Sequence, residues 1–109
     1  MAIFEKMKTA MAENDARAFA DLLHEDFVFV RHQSGSEMNR AEMVAMLDEM
    51  VGKGGLKTEN HRCIYENGDI MVDHGIMSFP DGSREAVLAS HRLKDGKIVR
   101  METGATQLG

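Results

Sequence analysis

One cysteine, one proline, one tyrosine and no tryptophan place several kinds of protein out of reach for this chain. Cys63 has no partner for an internal disulfide, and no cysteine-based metal motif exists. With a lone Pro80 and no low-complexity stretch or internal repeat, no linker is visible, and residues 1–109 read as a single domain. Long basic runs are missing and the net charge is −5, which argues against nucleic acid or an anionic membrane as partner. No apolar run approaches transmembrane length. The opening MAIFEKMK has charges after three apolar residues and no h-region, so no signal peptide is expected. A cytoplasmic domain fits these absences.

Glycine, by contrast, is informative where it falls. Asn67-Gly68, Asp81-Gly82 and Asp95-Gly96 each sit between residues that suit strands. An X-Gly pair is the strongest short hairpin signal, because a type I′ turn needs positive φ at both positions. Four antiparallel strands are therefore predicted, at about Leu56–Glu66, Asp69–Pro80, Ser83–Lys94 and Lys97–Thr106. Two-residue turns fix the register. One face then carries rows Tyr65–Ile70–Leu93–Ile98, Cys63–Val72–His91–Arg100, His61–His74–Ala89–Glu102 and Glu59–Ile76–Val87–Gly104. Polar groups converging in an apolar wall are what a small-molecule pocket presents. The other face, with Ile64, Met71, Met77, Ala86, Leu88, Val99 and Met101, is too apolar to be left in water. A single β-bulge would invert part of this pattern.

Before the meander, residues 2–13 carry an apolar helical stripe, and Asn14-Asp15 breaks it and caps a second helix from about Ala16 to His24. Phe27-Val28-Phe29-Val30 opens a strand reaching about Gln33, and Ser34-Gly35-Ser36 is a loop. Asn39 followed by Glu42 is a capping-box-like start for a third helix to Val51, ended by Gly52, Gly54 and Gly55. The ten methionines lie mostly on helix and sheet faces, as adaptable core filler. The predicted architecture is α+β: three helices in the N-terminal half packed on a strongly curved, mostly antiparallel sheet of five strands.

This order, with Glu13-Asn14-Asp15-Ala16 through Leu22-Leu23-His24-Glu25-Asp26-Phe27 and Arg92-Leu93-Lys94-Asp95-Gly96-Lys97-Ile98-Val99, resembles the nuclear-transport-factor-2-like superfamily over nearly the whole chain. The superfamily includes ketosteroid isomerases and SnoaL-like cyclases. The resemblance implies a cone-shaped roll with a deep pocket between sheet and helices, and a homodimer formed through the outer sheet face. The ketosteroid isomerase pattern of a base, a tyrosine and a second acid would fall on Arg31, Met7 and Ala89, which cannot shuttle a proton. The paired aspartates of limonene epoxide hydrolases have no evident counterpart. On the last strand, where SnoaL-like cyclases often carry acidic or histidine residues, this chain offers Glu102.

Particular to this chain are His61, His74 and Glu102 as proton-transfer residues, with Arg31, Cys63, Tyr65, His91 and Arg100 lining the ligand. A neutral histidine beside a carboxylate can abstract a proton alpha to a carbonyl while an arginine holds the enolate. If Arg31 and Arg100 both point inward, an anionic ligand is favoured. The histidines can equally be satisfied side chains that merely line a cavity. Three histidines with Glu102 could ligate zinc, but no His-x-His or His-x-x-x-His spacing supports a metal, and no cofactor is expected. Cys63 reads as an inert thiol, Tyr65 as core with its hydroxyl at the rim, and His24 and His32 as solvent-facing. Two functions remain open. One is a small-molecule-binding domain for a compact, partly apolar, acidic or enolisable ligand, with cofactor-independent isomerase, cyclase or dehydratase chemistry. The other is a non-catalytic dimeric binding or assembly module.

Overall fold

The computed structural model describes residues 2–109. Three helices, α1 (Ile3–Ala12), α2 (Ala16–Ala20) and α3 (Arg40–Gly52), pack on a sheet of six strands: β1 (Leu23–Arg31), β2 (Ser36–Asn39), β3 (Lys57–Glu66), β4 (Ile70–Ser78), β5 (Arg84–Lys94) and β6 (Lys97–Leu108). The spatial order is β2-β1-β6-β5-β4-β3, with β1 parallel to β6 and every other pair antiparallel. The α+β class stands; the sheet gains a strand. Ser36–Asn39 is a short polar edge strand hydrogen-bonded to β1, not part of a loop. Helix α2 stops at Ala20, because Leu22 and Leu23 are drawn to the sheet: the Leu22 carbonyl accepts from Ile98 N at 2.8 Å.

The caps form where the sequence places them. Asp15 accepts from Ala18 N, and Asn39 and Glu42 make a reciprocal capping box at α3. Helix α1 is capped from afar: the Glu66 carboxylate at the end of β3 accepts from Ile3 N at 2.8 Å and Phe4 N at 3.3 Å. A carboxylate there satisfies orphan amides and suits the positive end of the helix. Between helices and sheet lies the core of Phe4, Met7, Phe19, Phe27, Met71 and Ile98 with their neighbours.

The meander departs from simple two-residue hairpins at three places. Asp95 and Gly96, with φ of 53° and 75°, do form a two-residue turn that pairs Lys94 with Lys97. Beyond it, a bulge follows Leu93–Ile98, and Arg92 pairs with Arg100. The Asp81-Gly82 turn takes in Pro80 as well: Phe79 N donates to Ser83 O, Gly82 has φ 90°, and Ser78 pairs with Arg84. Proline suits the first position of a type I turn and glycine the left-handed position after it, which makes a three-residue loop. On β3, irregularities on either side of Arg62–Cys63, one of them at Asn60 with φ 52°, shift the pairing twice more.

Each one-residue shift exchanges the two faces of a strand. The inner face therefore carries His61 from β3, Asp73 and Met77 from β4, Glu85, Val87, Ala89, His91 and Leu93 from β5, and Ile98, Met101 and Thr103 from β6. Ile70, Val72, His74 and Ile76, expected inside, turn outward, because the Pro80 loop moves β4 by one residue against β5. The β6 bulge does the same to Arg100 and Glu102.

Candidate functional site

Three side chains from three adjacent strands meet beneath α1. Asp73 accepts from His61 Nε2 at 2.7 Å through Oδ2 and from His91 Nε2 at 2.6 Å through Oδ1. All three are buried: Asp73 is 3% exposed, His61 7% and His91 1%. His61 fits because Gly75 faces it; a Cβ on Gly75 would come within 3.3 Å of both the Cα and the Cδ2 of His61. The Phe4 ring meets the His61 ring edge-on, with centroids 4.9 Å apart.

Burial alone would raise the Asp73 carboxyl, but the two hydrogen bonds from His61 and His91 outweigh it, holding the group below the ordinary carboxylate range. An ionised carboxylate only accepts, so each Nε2 carries its hydrogen. In a neutral ring Nδ1 is then left as an acceptor, and the Nδ1 atoms of both His61 and His91 are buried without a partner. The hydroxyl of Thr103 is in the same state.

His91, Asp73 and Thr103 line a cavity of about 160 Å³ between the sheet and the helices. Its helical wall comes from Met7 and Met11 of α1 and Met43, Met46 and Met50 of α3, with Phe19 between them. Phe29, Val87, Ala89 and Met101 form the sheet side. At one flank Arg31 and Glu85 form a bidentate ion pair, with Nη1–Oε1 at 3.2 Å and Nη2–Oε2 at 2.7 Å. An apolar cleft with a few convergent polar groups is the usual form of a small-molecule site.

The residues singled out from sequence are divided by this geometry. His61, His91 and Arg31 lie on the inner side, and Arg31 and His91 line the cavity. His74 is on the outer face, accepting from Arg62 Nη1 through Nδ1 at 3.2 Å, because β4 is shifted against its neighbours. Glu102 is outside too, bonded to His32 Nε2 at 3.1 Å and to Arg100 Nε at 3.2 Å. The hydrogen bond from His32 and then that from Arg100 lower its carboxyl below the ordinary value. The expected His61–His74–Glu102 group therefore does not assemble. Cys63 and Tyr65 are exposed on the edge strand β3, and partial desolvation, followed by the nearby Glu66 carboxylate, pushes the Cys63 thiol up, against any role as a nucleophile. Arg62 pairs with His74 across β3 and β4. His24, expected in solvent, is buried at the start of β1, where its Nδ1 accepts from Asp26 N. Among the described residues no group of three or more His, Cys, Asp or Glu side chains is arranged to hold a metal ion.

Asp73, Glu85 and Thr103 were not singled out from sequence. Pro80 was the available signal for the first: a three-residue loop puts odd-numbered β4 residues on the face of His91. Nothing comparable in the sequence marks the bulges on β3 and β6.

A sequence profile of the SnoaL-like domain matches residues 4–101. The chain belongs to this family. Solved structures described as nuclear-transport-factor-2-like share its fold. A nuclear-transport-factor-2-like protein of unknown function from Burkholderia xenovorans superposes with a TM-score of 0.76 at 19% identity, over 96% of this chain and 80% of that one. A candidate polyketide cyclase from Streptomyces antibioticus gives 0.71 at 16% identity, over 93% and 87%. A protein of ketosteroid-isomerase-like fold from Catenulispora acidiphila, in complex with trimethylamine, gives 0.67 at 15%, over 92% and 82%. At these identities the likeness is one of fold. No curated protein matches the chain.

Proposed function

We propose that this SnoaL-like domain binds a compact, partly apolar small molecule in its cavity and moves a proton on it through His91. The observation that carries the reading is the Nδ1 of His91: buried, unpartnered, on a cavity-lining ring whose other nitrogen is held by Asp73. A neutral imidazole fixed in one tautomer by a carboxylate is a general base, and the resulting imidazolium is stabilised by that same carboxylate. His61 shares the Asp73 charge and steadies its orientation. The chemistry that follows is cofactor-independent proton abstraction alpha to a carbonyl, in the class of isomerisation, cyclisation or dehydration, with Thr103 Oγ1 a donor to the developing oxyanion.

The experiment is solvent-deuterium exchange into small enolisable ketones, followed by NMR, in wild type and His91→Gln. Exchange above the buffer rate that falls about a hundredfold or more in His91→Gln supports the reading. Equal rates in the two proteins refute it. The second reading, a non-catalytic dimeric module, draws on the outer sheet face, where Ile64, Tyr65 and Leu88 are each at least half exposed. A homodimer closed over that face suits either reading, as does a cytoplasmic location; among the described residues no helix is long and apolar enough to cross a membrane.

A further inference from the structure

The charge and size of the cavity also limit which molecule it takes, an inference that rests on the proton-transfer reading. Among the described lining residues Arg31 is the one permanent cation, and both its terminal nitrogens are engaged by Glu85, which is itself 5% exposed. The remaining charged lining residues are both carboxylates, Asp15 and, at the floor, Asp73. With both imidazoles neutral the His61–Asp73–His91 cluster carries one negative charge, and with one further proton it carries none. An entering carboxylate would lose its hydration and meet no free cation, which is costly in an apolar site. This removes the basis for an anionic ligand, since Arg100 lies outside and Arg31 is already neutralised. The volume of about 160 Å³ is close to that of apolar cavities, about 150 Å³, that accept a benzene ring.

We infer that the cavity takes a neutral, single-ring molecule bearing a hydroxyl or an enolisable carbonyl, and rejects the matching carboxylate. A ligand hydroxyl donates to His91 Nδ1 and accepts from Thr103 Oγ1, which gives both orphaned atoms a partner. Methionine walls let the ring settle without a rigid template.

The test uses the intact chain with ¹³C-labelled methionine methyls, titrated at neutral pH with p-cresol, toluene, 4-methylbenzoate and 2-naphthol. Cresol should shift the methyls of Met7, Met43 and Met101, binding at least about tenfold more tightly than 4-methylbenzoate or 2-naphthol. Thr103→Val should weaken cresol by about fivefold and leave toluene unchanged. Glu85→Gln, by releasing Arg31, should strengthen 4-methylbenzoate by about tenfold. The inference is overturned if 4-methylbenzoate or 2-naphthol matches cresol on the wild type, or if neither cresol nor toluene moves these methyls. Cresol binding without any isotope exchange in ketones would refute the proton-transfer reading and leave the ligand class standing. Exchange on larger or anionic compounds without cresol binding would do the reverse.

Discussion

Replacing Asp73 by asparagine changes one heavy atom and tests the whole polar cluster. Asparagine keeps one acceptor oxygen and presents an NH₂ group in place of the other. One imidazole retains its Nε2–H···O bond, now without charge assistance. The other faces a donor and must move its hydrogen to Nδ1, a buried atom with no acceptor nearby. Hydrogen bonds to charged groups contribute about 1.5–3 kcal/mol and neutral ones about 1 kcal/mol. Losing charge at two short bonds, with partial relief from no longer burying a carboxylate, makes Asp73→Asn about 2–3 kcal/mol less stable near neutral pH. For a domain of this size that lowers Tm by roughly 10 °C.

The pH dependence carries a definite sign. Because the native carboxyl of Asp73 is held below its unfolded value, its contribution is fully present above the unfolded pKa, about 3.9. It is lost as pH falls through the lower native value. Urea unfolding of both proteins from pH 7 down to the acid limit of folding should therefore show a gap that closes in strong acid. A mutant as stable as wild type at pH 7, or a gap that does not narrow in acid, would show that Asp73 is not an ionised acceptor between two imidazoles.

Other substitutions probe its surroundings. Gly75→Ala pushes a methyl group against the His61 ring and backbone, so it should cost about 1 kcal/mol in chemical denaturation and shift the His61 ring resonances. Unchanged His61 shifts would mean that the ring does not rest on Gly75. Glu66→Ala removes the remote cap of α1 and should cost about 1 kcal/mol, with amide exchange at Ile3 and Phe4 accelerated before the sheet opens. Glu102→Gln, on the outer face, should leave isotope exchange and cresol affinity at wild-type values; a large loss of either would return this carboxylate to the site.

How much of this was legible in the sequence depends on which residues carried local signals. Asp15, the Asn39–Glu42 pair and Asp95-Gly96 each specify their cap or turn through their own side chain or φ, and each forms as read. Strand β2 has no β-branched or aromatic residue and exists because β1 offers it a ladder, so only tertiary pairing marks it. The inner face of β5 was legible as Val87, Ala89, His91 and Leu93, since that strand has the regular alternation throughout. The neighbouring strands were not, because face assignment is a parity and one extra residue reverses it. The Pro80 loop moved His74 out and Asp73 in, and the bulge before Arg100 exchanged Glu102 for Thr103.

The cluster that results is an expensive one for a domain of 109 residues. Taking a carboxylate out of water costs several kcal/mol after relaxation, and its two imidazole bonds return a similar amount only while their geometry holds. Apolar residues of similar volume would fill the same space with little or no loss of stability. Packing alone therefore does not call for His61, Asp73 and His91, nor for the unpartnered Nδ1 atoms and Thr103 hydroxyl around them. The cost lies in atoms that have no partner in the protein itself, and those on His91 and Thr103 belong to residues that line the cavity. A ligand hydroxyl or enol bonded to both would relieve that cost on binding. Part of the ligand's affinity then comes from polar atoms that the protein itself leaves unpaired, which is why removing the Thr103 hydroxyl should both weaken cresol and stabilise the protein on its own.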